Sequence, residues 1–385
     1  MSDLNNIPNS ESPAGDTRYV HAHRGSGLPE SPVSPPLVLS TTFRRAANGL
    51  PASHVYSRLS CPNRDAFESA MCTLEQGTEA FAFASGLAAS MAIFQTLRPG
   101  QHVVIPDDIY YGVRLQLEEL LGHFGIRVTQ ADMSRPDQLK SILAEPVHMV
   151  WIETPSNPLL KISDISTIVA MARECGALVV VDNTWATPLL QQPLQLGCDI
   201  VLHSATKYIG GHSDVMAGCV VVRGNDELRA TLRRIQTIGG AVPSPASCWA
   251  ATRGLQTLPV RVRAACHSAA RIAEYCQTDS RIERVLYPGL PTHEGYHIAA
   301  RQMSLPGAML SICVRGDAEQ ALAVAGALRL FAHATSLGGV ESLVEHRASI
   351  EPADSTTPRN LLRISVGLED CDDLLSDLQS ALSVV

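Results

Sequence analysis

The chain has 385 residues, 45% of them hydrophobic and 18% charged, enough apolar material for a large core and enough length for two domains. Its net charge of −8 argues against nucleic acid as the main partner, and no run of about 18 apolar residues exists that could cross a membrane. The ten cysteines stand singly and the 13 histidines fall into no metal-ligating spacing, so the expectation is a reduced, cytoplasmic protein without a metal site.

The opening "MSDLNNIPNSESPAGD" is polar and lacks an apolar segment, which reads as a loose arm rather than a secretory leader. Pro, Ser and Thr stay dense up to residue 60, as in "LPESPVSPPLVLSTTF". That density predicts irregular backbone packed along a surface or a neighbouring subunit, so residues 1–60 are taken as an N-terminal arm. From residue 61 short apolar runs alternate with helical patterns. The runs are "AFAFAS", "HVVIPD", "RVTQAD", "HMVWIET", "ALVVVDN", "DIVLHS" and "AGCVVV", and between them "DQLKSILAE" and "ISTIVAMAREC" repeat apolar residues at helical spacing. Strands apolar throughout, each followed by a helix, predict a mainly parallel α/β sheet covered on both faces, in a first domain ending near residue 255. A long helical stretch, "SCWAATRGLQTLPVRVRAACHSAARIAEYCQ", leads into "GAMLSICVRG", "LLRISVGLE" and "CDDLLSDLQSAL". These predict a second, smaller α/β domain over residues 256–385.

Ligands of an open parallel sheet bind at the carboxyl ends of its strands. The polar residues at those ends are Ser85-Gly86, Asp107-Asp108, Glu153, Asp182-Asn183 and Ser204. A carboxylate that ends a buried strand, as Asp182 does, must be paired or hydrogen-bonded. It can cap a helix, or it can oppose a buried cation such as a protonated pyridine nitrogen. Lys207 follows an apolar strand, between Ser204, Thr206 and the pair Gly210-Gly211. Among such short side chains its amine would be partly desolvated, which favours the neutral nucleophile. The hydroxyls of Ser204 and Thr206 can donate to phosphate oxygens. So can the amides of "SGLAA", where Ser85, Gly86 and Leu87 open a helix whose N-terminus attracts anions. Tyr110 in "DDIYYG" supplies a ring to stack. These parts describe a pyridoxal 5'-phosphate (PLP) site; spacing alone leaves a nucleotide site as the alternative.

The motif "VVVDNTWATPLLQQPLQLGCDIVLHSATKYIGGHSDVMAG", set between "DTRYVHAHRGS" and "LLRISVGLED", resembles the Cys/Met-metabolism enzymes of fold type I over nearly the whole chain. That family includes cystathionine γ-lyases, γ-synthases and β-lyases, and methionine γ-lyases. The resemblance implies a fold type I PLP-dependent transferase, with 61–255 as the cofactor domain. Lys207 would be the Schiff-base lysine and proton shuttle, Asp182 would pair the pyridine nitrogen, and Tyr110 would stack on the ring. Gly86, Leu87, Ser204 and Thr206 would hold the phosphate. Tyr56 and Arg58 of "VYSRLSCPNR" would reach the phosphate of an adjacent subunit, implying a homotetramer of dimers that share active sites. Asn157 and Arg363 would grip an amino-acid substrate, Arg363 forking its carboxylate, and Ser336 would orient Lys207.

The departures from the pattern bear on substrate choice. Val55 and Thr335 stand where cystathionine-handling relatives often carry carboxylates, so a distal ammonium has no obvious partner. Tyr111 follows the stacking tyrosine where a glycine is usual. "HRASIEP" replaces "PA-x-MTH", which brings His346, Arg347 and Glu351 towards the expected substrate entrance. The expected activity is γ-elimination or γ-replacement on a sulfur amino acid or O-acylhomoserine. The alternatives are β-elimination, a methionine γ-lyase-like reaction and a non-catalytic descendant. A serine hydrolase built on His212-Ser213-Asp214 is set aside, because adjacent residues do not form a triad and no G-x-S-x-G elbow is present.

Overall fold

The computed structural model describes residues 15–22, 32–50, 53–351, 355 and 357–385. The seven apolar runs of the first domain form seven strands: β1 Glu79–Phe83, β2 His102–Pro106, β3 Arg127–Ala131, β4 Met149–Glu153, β5 Leu178–Asp182, β6 Ile200–Ser204 and β7 Gly218–Val222. They pair in the order β1-β7-β6-β5-β4-β2-β3. From β6 across to β3 the neighbours are parallel, while β7 is antiparallel to both β1 and β6. Alternate residues feed opposite faces, as the pleat requires. In β4, Met149 and Trp151 enter one core cluster and Val150 and Ile152 the other.

One expectation fails here. No helix follows β6; residues 205–217 form turns around Lys207. A parallel return needs a crossover of about a dozen residues or more, usually helical. With its residues spent on turns, this connection brings β7 back antiparallel, so the sheet is mixed rather than uniformly wound.

The second sheet contains β8 Ile282–Leu286, β9 Met309–Val314, β10 Ala332–His333, β11 Leu343–His346 and β12 Leu361–Ser365. Its order is β10-β11-β12-β9-β8. All neighbours are antiparallel except β10 and β11. A 34-residue helix, Pro245–Thr278, joins the two sheets. Ser244 caps it by accepting from the Ser247 amide at 3.0 Å, and it packs on the helix Pro62–Glu75 at one end and on β8 and β9 at the other.

The arm is less irregular than its prolines predict. Thr17–His21 forms a short helix that buries Tyr19 to 3% exposure, and Asp16 beside it takes both Nη atoms of Arg263 on the long helix, at 2.5 and 2.7 Å. Burying one aromatic ring outweighs the local sequence bias. Further along, Trp249 Nε1 donates to the Pro35 carbonyl at 2.9 Å. Most of the polar opening read as a loose arm, residues 1–14, lies outside the described residues. All ten cysteines are free thiols. Among the described residues no helix is long and apolar enough to cross a membrane.

Candidate active site

β4, β5 and β6 end side by side on Glu153, Asp182 and Ser204, and a cavity of about 200 Å³ opens at these ends. Lys207, Tyr110, Asn157, Gly86, Leu87 and Thr206 also line it, so residues scattered over more than a hundred positions of chain meet in one place.

Lys207 is held at 2.7 Å from Ser336 Oγ by its Nζ. Burial lowers its pKa to about 8; Arg363 and Arg347 add to the effect and Glu345 opposes it. An amine tuned this way can be neutral near physiological pH and can still carry a proton. The turn that presents it is fixed from behind. Arg261 of the long helix donates to the carbonyls of Tyr208 and Gly254, at 2.9 and 2.8 Å.

Asp182 Oδ1 accepts from the Thr184 amide at 3.0 Å. Burial pushes its carboxyl up, while hydrogen bonds from Thr184 and the charge of His203 pull it back. Its register partner across β4–β5 is Glu153. Glu153 accepts from the Tyr110 amide at 2.8 Å but is pushed well above the usual carboxylate range, by burial first and by Asp182 second. Two neighbouring buried carboxyls cannot both ionise cheaply unless a cation joins them. A protonated ring nitrogen is such a partner.

At the other end of the cavity, Ser85 caps the helix Gly86–Phe94 by accepting from the Ala88 amide at 3.0 Å. A Cβ on Gly86 would lie 2.8 Å from Ser204 Cβ and 2.9 Å from its Oγ. Only glycine lets the helix start approach this hydroxyl, and the result is a cradle of amides and hydroxyls suited to a phosphate. Thr206 Oγ1 is shared with the Ala217 backbone, donating to its carbonyl at 3.3 Å and accepting from its amide at 3.2 Å. Tyr110 is 41% exposed over the cavity mouth. A carboxyl, a helix start with hydroxyls, an aromatic ring and an amine thus line one cavity, the kinds of group a PLP site needs.

Arg363 reaches the site from β12. Its Nη1 donates to Asn157 Oδ1 at 3.1 Å and its Nη2 to the Ser336 carbonyl at 2.9 Å. Burial lowers its pKa to about 10 against the pull of Glu345. Glu345 was not singled out in the sequence; it faces Arg363 across β11–β12 and accepts from its Nη2 at 2.5 Å.

Not every expected residue joins the site. Tyr56 and Arg58 do not line the cavity: Arg58 donates to the Thr237 carbonyl at 2.6 Å and Tyr56 is 42% exposed. Val55 pairs its carbonyl with the Phe43 amide at 3.1 Å, and Thr335 is exposed beside Ser336. Of the three residues expected near the entrance, Arg347 and Glu351 line a second cavity of about 220 Å³ that shares Asn157 with the first. His346 does not join them, because its ring nitrogens are engaged by Ser349 Oγ and the Arg359 carbonyl, each at 2.6 Å. Trp185 and Met216 also wall the first cavity; their apolar side chains gave no sequence signal separable from core packing. His212 and Ser213 bond elsewhere, to the Gly210 carbonyl and to Glu341.

The chain matches the Cys/Met metabolism PLP-dependent enzyme family over residues 16–383. It belongs to that family. It is 42% identical over 375 residues to a cystathionine gamma-lyase of Dictyostelium discoideum, covering 95% of this chain and 97% of that protein. It is 41% identical over 373 residues to the cystathionine gamma-synthase of Mycobacterium tuberculosis, covering 95% and 96%. A solved cystathionine gamma synthase from Xanthomonas oryzae pv. oryzae, in complex with aminoacrylate and cysteine, superposes with a TM-score of 0.93 at 38% identity over 96% of this chain and 98% of that one. The protein is thus a PLP-dependent enzyme of the trans-sulfuration type, a carbon–sulfur lyase or a γ-synthase.

Proposed function

We propose that this family member acts at the γ-carbon of a sulfur amino acid or O-acylhomoserine, by elimination or replacement. The observation that carries the reading is Lys207, which lines the cavity with its amine tuned to about 8 and hydrogen-bonded to Ser336. γ-Chemistry needs a base that removes protons from two adjacent carbons in turn, and a long-stemmed amine near neutrality suits that task. Bound PLP supplies the electron sink that makes a proton next to the substrate amine acidic. The chain's own residues do the rest. Asp182 would keep a proton on the ring nitrogen, and the Gly86–Leu87 amides with Ser204 would hold the phosphate, joined by Thr206 once its hydroxyl turns from the Ala217 carbonyl. Tyr110, which lines the cavity, would cover the ring and exchange a proton with the leaving group. Arg363, backed by Asn157, grips the substrate carboxylate, and Lys207 takes the Cα proton, hands it on so that its amine is neutral again, and only then takes a Cβ proton.

Val55 and Thr335 give a distal ammonium no counter-charge. One missing charge-assisted contact costs about 1.5–3 kcal/mol, roughly ten- to a hundredfold in specificity. The enzyme therefore handles an O-acylhomoserine or a short thioether amino acid at least as well as cystathionine. The same reading takes the protein as a cytoplasmic homotetramer of dimers, with Tyr56 and Arg58 serving the adjacent subunit's site. It divides the chain into an arm (1–60), a cofactor domain (61–255) and a terminal domain (256–385), the long helix being common to the last two.

The deciding experiment measures kcat/KM and products with cystathionine, methionine and O-acylhomoserines, with and without cysteine. 2-Oxobutanoate, or cystathionine made from the ester and cysteine, is expected. Pyruvate as the only oxo acid from cystathionine would mean β-elimination instead. A tenfold or greater preference for cystathionine would overturn the argument from Val55 and Thr335.

A further inference from the structure

The segment in which this chain departs from its family's pattern, "HRASIEP", builds a row of four buried charges behind Asn157. Arg363, Glu345 and Arg347 are 4%, 6% and 5% exposed, and the Glu351 side chain is 9% exposed. A single oxygen, Glu345 Oε2, accepts from Arg363 Nη2 at 2.5 Å and from Arg347 Nη1 at 3.0 Å. Arg347 then turns its Nε and Nη2 to Glu351 Oε1, at 3.0 and 2.9 Å. The far oxygen, Glu351 Oε2, accepts from Ser355 and Thr357 at 2.6 and 2.5 Å. The row alternates two guanidiniums with two carboxylates and is neutral as a whole.

This arrangement poses a competition. A carboxylate arriving at Arg363 must share that guanidinium with Glu345, which already holds it. How strongly Glu345 holds it depends on what else Glu345 binds, and the only other cation bonded to Glu345 among the described residues is Arg347. We propose that Arg347 and Glu351 are positioning residues that set the affinity of Arg363 for the substrate carboxylate. Arg347 draws Glu345 away from Arg363 and offsets its negative charge; Glu351 limits that pull by holding the opposite side of Arg347. The proposal rests on Arg363 being the carboxylate clamp, and it explains why two extra charges are buried beside it: unpaired, either would be costly, whereas alternated they tune the clamp without leaving a net charge.

The signs are opposite for the two ends of the row. Arg347→Met leaves a net negative charge next to Arg363 and repels an incoming carboxylate. Glu351→Gln keeps the acceptor for Ser355 and Thr357 but leaves a net positive charge, which attracts one. The test is calorimetric titration of the holoenzyme with L-alanine and with L-alaninamide, probes that share an amine and differ in the carboxylate. The ratio of the two dissociation constants, compared with the wild type, cancels intrinsic differences between the amines. Arg347→Met is expected to weaken L-alanine about tenfold and leave L-alaninamide within about twofold, while Glu351→Gln tightens L-alanine about two- to fivefold. A merely structural role would weaken both ligands together. If Arg363→Met lowers the preference for L-alanine and neither row variant changes the ratio, the tuning proposal is overturned and the clamp stands. If Arg363→Met leaves the ratio as in the wild type, the clamp itself is wrong and the proposal falls with it. Should Arg347→Met fail to fold, Glu351→Gln alone decides, since an unchanged ratio there overturns the idea equally.

Discussion

Lys207 and Gly86 carry most of what single residues decide in this site. The Lys207 amine, moved to about 8 chiefly by burial, should react with acetic anhydride in the PLP-free protein with a midpoint near pH 8, read by peptide mapping. An ordinary lysine titrates near 10.4, and a midpoint there would refute the desolvation argument. The sign carries over to stability. Between about pH 8 and the unfolded value the unfolded chain binds a proton that the folded chain does not, so this group favours folding increasingly as pH rises through that window. Lys207→Ala should in addition abolish covalent retention of PLP after borohydride reduction. Gly86→Ala tests the phosphate cradle. Its Cβ would press on Ser204 at 2.8 Å, and forcing the helix start back should weaken PLP binding by about tenfold or more, for a cost of at least about 1.4 kcal/mol. Equilibrium dialysis that returned the wild-type affinity would remove Gly86 from the cradle.

Among the elements, the turn between β6 and β7 and the long helix behind it act as one unit. Gly254 is the point of closest approach: a Cβ there would lie 2.1 Å from the Ile209 carbonyl and 2.7 Å from that of Gly210. A backbone contact cannot be relieved by a rotamer change. Gly254→Ala should therefore separate the helix from the turn, cost about 1–3 kcal/mol, and reduce PLP occupancy because Lys207 rides on the same turn. Chemical denaturation with cofactor titration measures both, and a variant unchanged in each would show that the turn is held by Arg261 alone. Here the sequence misled for a physical reason. The rule that a helix follows every strand assumes that connections serve the sheet, whereas this one serves a ligand site, and its glycines permit the close approach that a helix would prevent.

At the scale of the whole molecule, Tyr56, Arg58 and Thr335 stand exposed in a single chain, although the proposed function gives two of them a phosphate to hold and the third borders the lysine's hydrogen-bond partner. The proposed sharing of active sites between subunits would account for that exposure. If they are shared, inactive Arg58→Ala and inactive Lys207→Ala protomers, dissociated and reassembled together, should regain part of the wild-type activity, because some sites then draw both intact residues. Mixed oligomers that form and stay inactive would locate each site within one chain.

The local pattern was enough to find the seven strands of the first sheet, since buried parallel strands must be apolar along their length, and enough to find Lys207 and Asp182, since a charge at the end of such a strand needs a reason to be there. It also exposed Arg347 and Glu351 as departures from a family pattern, though not what they bind. Tertiary structure alone decided the rest. The direction of β7 depends on how its connection folds. The short helix Thr17–His21 exists because Tyr19 finds a core far away in sequence. Glu345 lies opposite Arg363 only because β11 and β12 pair in one register, and a slip of one residue would turn its carboxylate to the other face. Pairing across strands depends on register, which neither segment carries by itself, so the charged row that ends on Arg363 could be seen only in three dimensions.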